Sequence, residues 1–318
     1  MTGVQTCALP IWQRWIWAYL GMVAVWLATV TFTGGKGGGE IITAALSFAA
    51  FTVIVGIGQM FVITTGPGNV DLSIPATISL SGAVAMKLMG GDNAMLLVGI
   101  AASLGCGFAV GLFNYMLIRI LRIPPIIATL SSSFLILSTA ISYGRGLKIK
   151  PPSMLADFTT TQVFGFPVLA FFVILFAAIM ALILNRTVYG RAVSAVGQNP
   201  RAAWLAGVDV ERIRFRTYLQ SAVLAAVCGF LLAGFSGGAS LNMGEEYLLA
   251  SIAVVVIGGT SVAGGQGNVA GIIGAAIFMF LLVTMLNTFG ASAGVRLIMT
   301  GLIIVAVITI AGGDKPQR

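Results

Sequence analysis

Residues 252–274 read IAVVVIGGTSVAGGQGNVAGIIG, an apolar run, a glycine-rich break and a second apolar run. The first run does not alternate between apolar and polar, so it is not a barrel strand. It continues upstream to about 247 and the second runs on to about 288, which gives two helix-sized spans with a polar interruption between them. The interruption carries Gly258, Gly259, Thr260 and Ser261, with Gln266 further on. Non-helical backbone at membrane depth survives only where protein buries it or where it lines a wet cavity. An interrupted helix of this kind is the best pointer in a sequence to a translocation path.

The pattern repeats along the chain. A hydrocarbon core of about 30 Å takes about 20 apolar residues as a helix. On that rule ten spans are expected, at roughly 15–33, 42–64, 72–90, 94–118, 124–142, 163–185, 217–238, 247–264, 268–288 and 294–312. The chain has 318 residues, of which 58% are hydrophobic and 8% charged. A soluble domain carries about 25% charged residues, so there is too little polar surface here for one. The expected fold is all-α: a polytopic integral membrane protein of about ten transmembrane helices with broken or re-entrant segments. Residues 2–11, TGVQTCALPI, look like the translation of a sequencing adapter. Residues 1–11 are therefore set aside as an artefact, the true start is expected to be missing, and 12–318 is read as one transmembrane domain.

Charge gives the orientation. With the N-terminus inside, eleven Lys and Arg fall in inner loops and six on the outer side, so both termini are expected on the cytoplasmic side of the membrane. Lys148 and Lys150 are the awkward pair, in a long outer loop near 143–162. The net charge of +8 belongs to these loops and does not indicate nucleic acid. There is no His, and no metal is expected. Cys106 and Cys228 lie in apolar spans and imply no disulfide framework. GGKGGGE at 34–40 lacks the Ser or Thr of a phosphate loop and reads as an outer turn. No catalytic residue is expected. Gly107 with Gly111, and Gly267 with Gly271, are spaced for close helix packing in lipid.

A second interruption, GPGNVDLSIP at 66–75, holds Asn69, Asp71 and Ser73. Acids at membrane depth are costly and usually functional. Asp71 has two compatible roles, as cap of the helix that follows or as a group facing a path. Asn69, Asp71, Ser73, Gly258, Gly259, Thr260 and Ser261 are the candidate pore lining.

QNPRAAWLAGVDVERIRFR at 198–216 stands out from this apolar background. Asn199 and Pro200 predict a helix start, and Gly207 its stop. Asp209 predicts the cap of a second helix leading into the next span. Ala202, Leu205 and Ala206 make an apolar stripe with Trp204 beside it. A helix this short is marginal alone and needs a surface to lie on. That surface is either the lipid headgroup layer or a cytoplasmic partner.

GRAVSAVGQNPRAAWLAGVDVERIRF at 190–215 resembles the cytoplasmic coupling loop of permease subunits of ABC importers. The match is to the monosaccharide group that includes the ribose and xylose permeases. TTGPGNVDLSIPATISLSGAV at 64–84 and the opening stretch at 252–274 resemble two further motifs of that group. The resemblance covers about residues 15 to 312. It departs from the pattern in two extra residues before Asp71, and in Tyr247-Leu248-Leu249-Ala250, where many members carry two acids. It implies a coupling loop at about 186–216, with Asn199, Pro200, Arg201, Trp204, Leu205, Gly207 and Asp209 as its contact residues. It also implies a second permease copy, identical or a close paralogue, two ABC ATPase subunits below, a periplasmic solute-binding protein above, and no cofactor on this chain, ATP being used by the partner. The expected cargo is a sugar-like solute. The alternatives are a branched-chain amino-acid permease of the same architecture and an ion-coupled secondary carrier.

Overall fold

The computed structural model describes residues 15–146 and 149–290, together with a few residues between 292 and 305. The adapter-like stretch 2–11, Arg14, Lys148, Arg296, Lys315, Arg318 and most of the span expected at 294–312 lie outside the described residues. The helices are α1 (Ile16–Phe32), α2 (Gly38–Thr64), α3 (Ile74–Met89), α4 (Leu96–Arg119), α5 (Pro125–Gly144), α6 (Ser153–Thr160), α7 (Val168–Arg186), α8 (Val188–Gln198), α9 (Pro200–Leu205), α10 (Val210–Phe235), α11 (Tyr247–Ile257) and α12 (Val269–Thr288). Among the described residues six are long and apolar enough to cross a membrane: α2, α4 with its preceding 3-10 turn, α5, α7, α10 and α12. α1, α3 and α11 are shorter apolar helices. The fold is all-α and polytopic.

α2 is the axis of the bundle. Seventeen of its 27 residues are buried, on every side of the helix. A helix apolar all round belongs in the interior of a large assembly of helices. α7, α10, α11 and α12 pack around it, α3 and α4 pack on the far side of α10, and α1 lies on α12. Small residues set close crossings. A Cβ at Gly107 would lie 2.7 Å from Val223 Cα, and one at Gly111 would lie 2.8 Å from Leu219 Cα, so α4 meets the backbone of α10 directly. That is the packing mode open to helices in lipid, where apolar burial alone gives little drive.

Three expectations are corrected. The span expected at 163–185 begins at Val168, because residues 162–167 form a β-hairpin, β1 (Gln162–Val163) with β2 (Phe166–Pro167). Phe164 and Gly165 both have positive φ, 51° and 76°, as a two-residue hairpin turn requires. The span expected at 247–264 stops at Ile257, where Gly258 and Gly259 turn the chain. The loop near 143–162 contains α6, and the loop between α7 and α9 contains α8, neither of which its local composition announced. Residues 33–37 form a turn, with Gly34, Gly35 and Gly37 at positive φ, while Gly38, Gly39 and Glu40 of the turn expected at 34–40 open α2.

Candidate functional site

The loop between α8 and α10 folds by local capping. Asn199 Oδ1 accepts from the backbone N–H of both Arg201 and Ala202 at 3.0 Å, and Pro200 occupies the first position, where no N–H is needed. Gly207, at φ 84°, ends α9 and donates to Trp204 O at 2.9 Å. Asp209 Oδ1 accepts from Arg212 N at 3.0 Å and starts α10. Only Ala203 of α9 is buried. Trp204 and Leu205 are 66% and 72% exposed, and Ala202 and Ala206 are exposed beside them. The apolar stripe therefore faces away from its own chain.

The base of this loop is tied down. Tyr115 donates its hydroxyl to Glu211 O at 2.8 Å, and Arg119 and Arg214 reach the Glu211 carboxylate at 3.3 and 3.6 Å. α8 is held by Tyr189, which stacks on Phe61 of α2 and donates to Gln220 Oε1 at 3.0 Å. Burial pushes the Tyr189 phenol up, so it stays a neutral donor.

The first interrupted segment is a buried polar junction. Asn69, Asp71 and Ser73 are 7%, 1% and 0% exposed. Asp71 Oδ1 accepts from Ser73 N at 3.0 Å and Ser73 Oγ at 2.6 Å, and its Oδ2 accepts from Ser221 Oγ of α10 at 2.8 Å. The residue at the cap position of α3 is Ser73, and Asp71 secures the turn ahead of it. Gln59 of α2 accepts from Asp71 N at 3.1 Å, Asn114 of α4 donates to Ser73 Oγ at 2.7 Å, and Ser132 of α5 donates to Asn114 Oδ1. Tyr218 donates to Asn69 Oδ1 at 3.3 Å. These partners come from four helices, α2, α4, α5 and α10, and the sequence marks none of them, because each is a polar residue scattered within a long apolar span.

The second interruption closes on itself. Ser261 N donates to Gln266 O at 3.0 Å, Thr260 Oγ1 accepts from Asn268 N at 3.3 Å, and Asn268 caps α12 through Gly271 N at 3.2 Å. Gly258 and Thr260 are buried, while Gly259 and Ser261 are half-buried. Gly265 N donates to Thr64 O at 2.9 Å, so the two interruptions meet each other.

A further surface was not legible in the sequence. The outward faces of α4 and α7 carry large apolar residues, such as Phe108, Leu112, Phe171 and Leu175, and no hydroxyls. The outward face of α5 is mixed: Ser131, Ser138, Thr139 and Ser142 are exposed on it beside Ile127, Phe134 and Leu135. A cavity of about 330 Å³ at its end is lined by Ser138, Ile141, Ser142 and Arg145.

Comparison with known proteins gives a consistent result. The family described as "Branched-chain amino acid transport system / permease component" matches residues 41–308. The fructose import permease of Rhizobium meliloti is 30% identical over 277 residues, covering 84% of this chain and 76% of the relative. The ribose import permease of Bacillus subtilis is 32% identical over 268 residues, covering 82% and 81%. The autoinducer 2 import system permease of an Enterobacter strain is 29% identical over 301 residues, covering 94% and 87%. No solved structure matches the chain.

Proposed function

Because this chain belongs to the branched-chain amino acid transport system / permease component family, we propose that it is the membrane-spanning permease subunit of an ATP-driven sugar importer. The relatives named for fructose and ribose import support the cargo class. The single observation that carries the coupling role is the capped helix α9, which turns Trp204 and Leu205 away from its own bundle. Trp and Arg are enriched where partners bind tightly, and Arg201 and Trp204 stand together on this helix. An ATPase subunit docks there, hydrolyses the ATP, and moves α9. This chain binds no cofactor and performs no covalent chemistry.

The path lies between two permease copies. The exposed hydroxyls of α5 are its wall, since lipid gains nothing from a row of Ser and Thr that a hydrated polyol can use. Half-buried Gly259 and Ser261 frame the inner mouth, with Gly258 and Thr260 behind them. Asn69, Asp71 and Ser73 hold the wall from within one subunit. The tenth span falls at about 294–312, and both termini are cytoplasmic. A periplasmic binding protein delivers the solute from above.

The test is ATPase activity of the assembled complex in lipid, against pentoses, hexoses, polyols and branched-chain amino acids. Stimulation by a sugar is expected. Stimulation by an amino acid alone would keep the machine and overturn the cargo. Uptake that follows an ion gradient without ATP would overturn both.

A further inference from the structure

Three backbone segments cross at one point, packed through glycines. They are the end of α2 at Thr64–Gly66, the end of α8 at Gly197–Gln198, and the second interruption at Gly264–Gly265. A Cβ at Gly197 would fall inside the Thr64 carbonyl oxygen and the Gly265 backbone nitrogen. One at Gly264 would lie 2.5 Å from Gly66 Cα and 3.0 Å from Gly197 O. One at Gly265 would lie 2.5 Å from Gln198 Cγ. At the centre, Gly265 N donates to Thr64 O at 2.9 Å. Gly197 is two residues before Asn199, the cap of α9, and Asn199 N itself donates to Ala195 O of α8 at 3.1 Å. Around the crossing, Gly66, Gly68, Gly259, Gly264 and Gly265 all have positive φ, and such residues absorb large changes of backbone angle.

We infer that this glycine crossing is the relay by which α9 drives both interruptions, with Gly197 as a positioning residue. The inference rests on the coupling reading above and adds its mechanical step. Interlocked backbones cannot slide past one another as flexible side chains can, because packed interiors are bistable and do not deform continuously. A displacement of α9 is therefore passed whole to Gly265 and Thr64. From there it reaches the Asp71 junction through Asn69, whose Nδ2 donates to Gly66 O at 3.1 Å.

The test uses the importer assembled with its ATPase in lipid, with Cys7, Cys106 and Cys228 replaced by Ser. Spin labels are placed at Ala206→Cys beside α9, Val262→Cys on the second interruption and Leu97→Cys at the far end of α4. Distances are read with and without ATP trapped by vanadate. The 206–262 distance should stay fixed while the 262–97 distance changes; any other result overturns the relay. In Gly197→Ala, ATP should still alter the 206–97 distance, the 262–97 change should be lost, and uptake should fall away while ATPase activity persists. A Gly197→Ala protein that relays normally would overturn the role of the glycine. If that variant does not fold, the distances in the labelled parent decide alone. Failure of the coupling reading is separable, because it would show as no ATPase assembly or no ATP-dependent change at Ala206.

Discussion

Ser221, more than two turns into α10, donates its hydroxyl to Asp71 Oδ2 at 2.8 Å and joins residues 150 positions apart. Truncating the donor leaves a buried carboxylate oxygen without its partner. Ser221→Ala should therefore lower stability by about 1–3 kcal/mol, since an unsatisfied buried acceptor costs more than the bond itself contributes. Asp71→Leu should cost more, because it strands Ser73 and Ser221 together. Thermal unfolding of the purified protein in detergent measures both, and a Ser221→Ala protein as stable as its parent would break the account of the junction.

Glu211 presents the opposite case. Its carboxylate meets Arg119 and Arg214, but it is 41% exposed and Arg119 is 59% exposed. Exposed pairs contribute about 0–1 kcal/mol. Glu211→Gln should accordingly change stability by less than about 1 kcal/mol, and high salt should change it little more. The same unfolding experiment, run in low and high salt, compares the two sites side by side.

Gly107 tests a close crossing in the bundle, that of α4 with α10. A Cβ there would meet Val223 Cα at 2.7 Å and the Ala226 methyl at 2.8 Å. Gly107→Val should overpack α4 against α10 and cost about 1–3 kcal/mol. Gly105 lies on the same helix with nothing within 4 Å of a Cβ. Gly105→Ala should be neutral or stabilising by up to about 1 kcal/mol. Equal effects at the two glycines would mean that α4 and α10 do not meet as described.

The helical class and most span boundaries are legible in the sequence, because continuous apolar runs of fixed length follow from the thickness of the bilayer. The start and stop of α9 are legible for a different reason: Asn199, Pro200, Gly207 and Asp209 act on backbone within three residues of themselves. Hydropathy cannot separate Val163–Pro167 from the helix it precedes, since a Phe-Gly turn is as apolar as a helical one. Nor can it find Gln59, Asn114, Ser132 or Ser221. Each looks like a tolerated polar residue until the bundle brings it to Asp71. α5 illustrates the limit most clearly, because its serines resemble those of any small-residue span, and only the fold shows which of them face outward.

Trp204 and Leu205 are exposed in the chain itself, so the bundle gains little from either side chain. Trp204→Ala with Leu205→Ala should leave the unfolding temperature unchanged. Binding to the ATPase subunit should nevertheless weaken by about 2 kcal/mol or more, roughly thirtyfold, if these are anchors at the centre of an interface. Co-purification and a titration of the ATPase onto the permease in nanodiscs give the affinity. Unchanged binding would return α9 to the headgroup layer, the alternative that its sequence left open.

The hydroxyl face of α5 separates a solute path from a lipid contact. Ser138 and Ser142 are exposed and line the cavity at its end, so neither supports the bundle. Ser138 donates only to Phe134 O of its own helix, at 2.8 Å, which leaves its lone pairs turned outward. Ser138→Phe and Ser142→Phe add bulk without creating a clash inside the chain. On a lipid face such a change is neutral for transport, because an apolar ring suits hydrocarbon at least as well as a hydroxyl. In a path between two copies it narrows the passage and removes acceptors a sugar can use. Uptake should therefore fall sharply in both variants, while unfolding temperature and ATPase binding stay at parental values. Ser138→Thr keeps the hydroxyl and should restore most of the uptake. If the Phe variants transport normally, α5 faces lipid, and the path must be sought along a different face of the bundle.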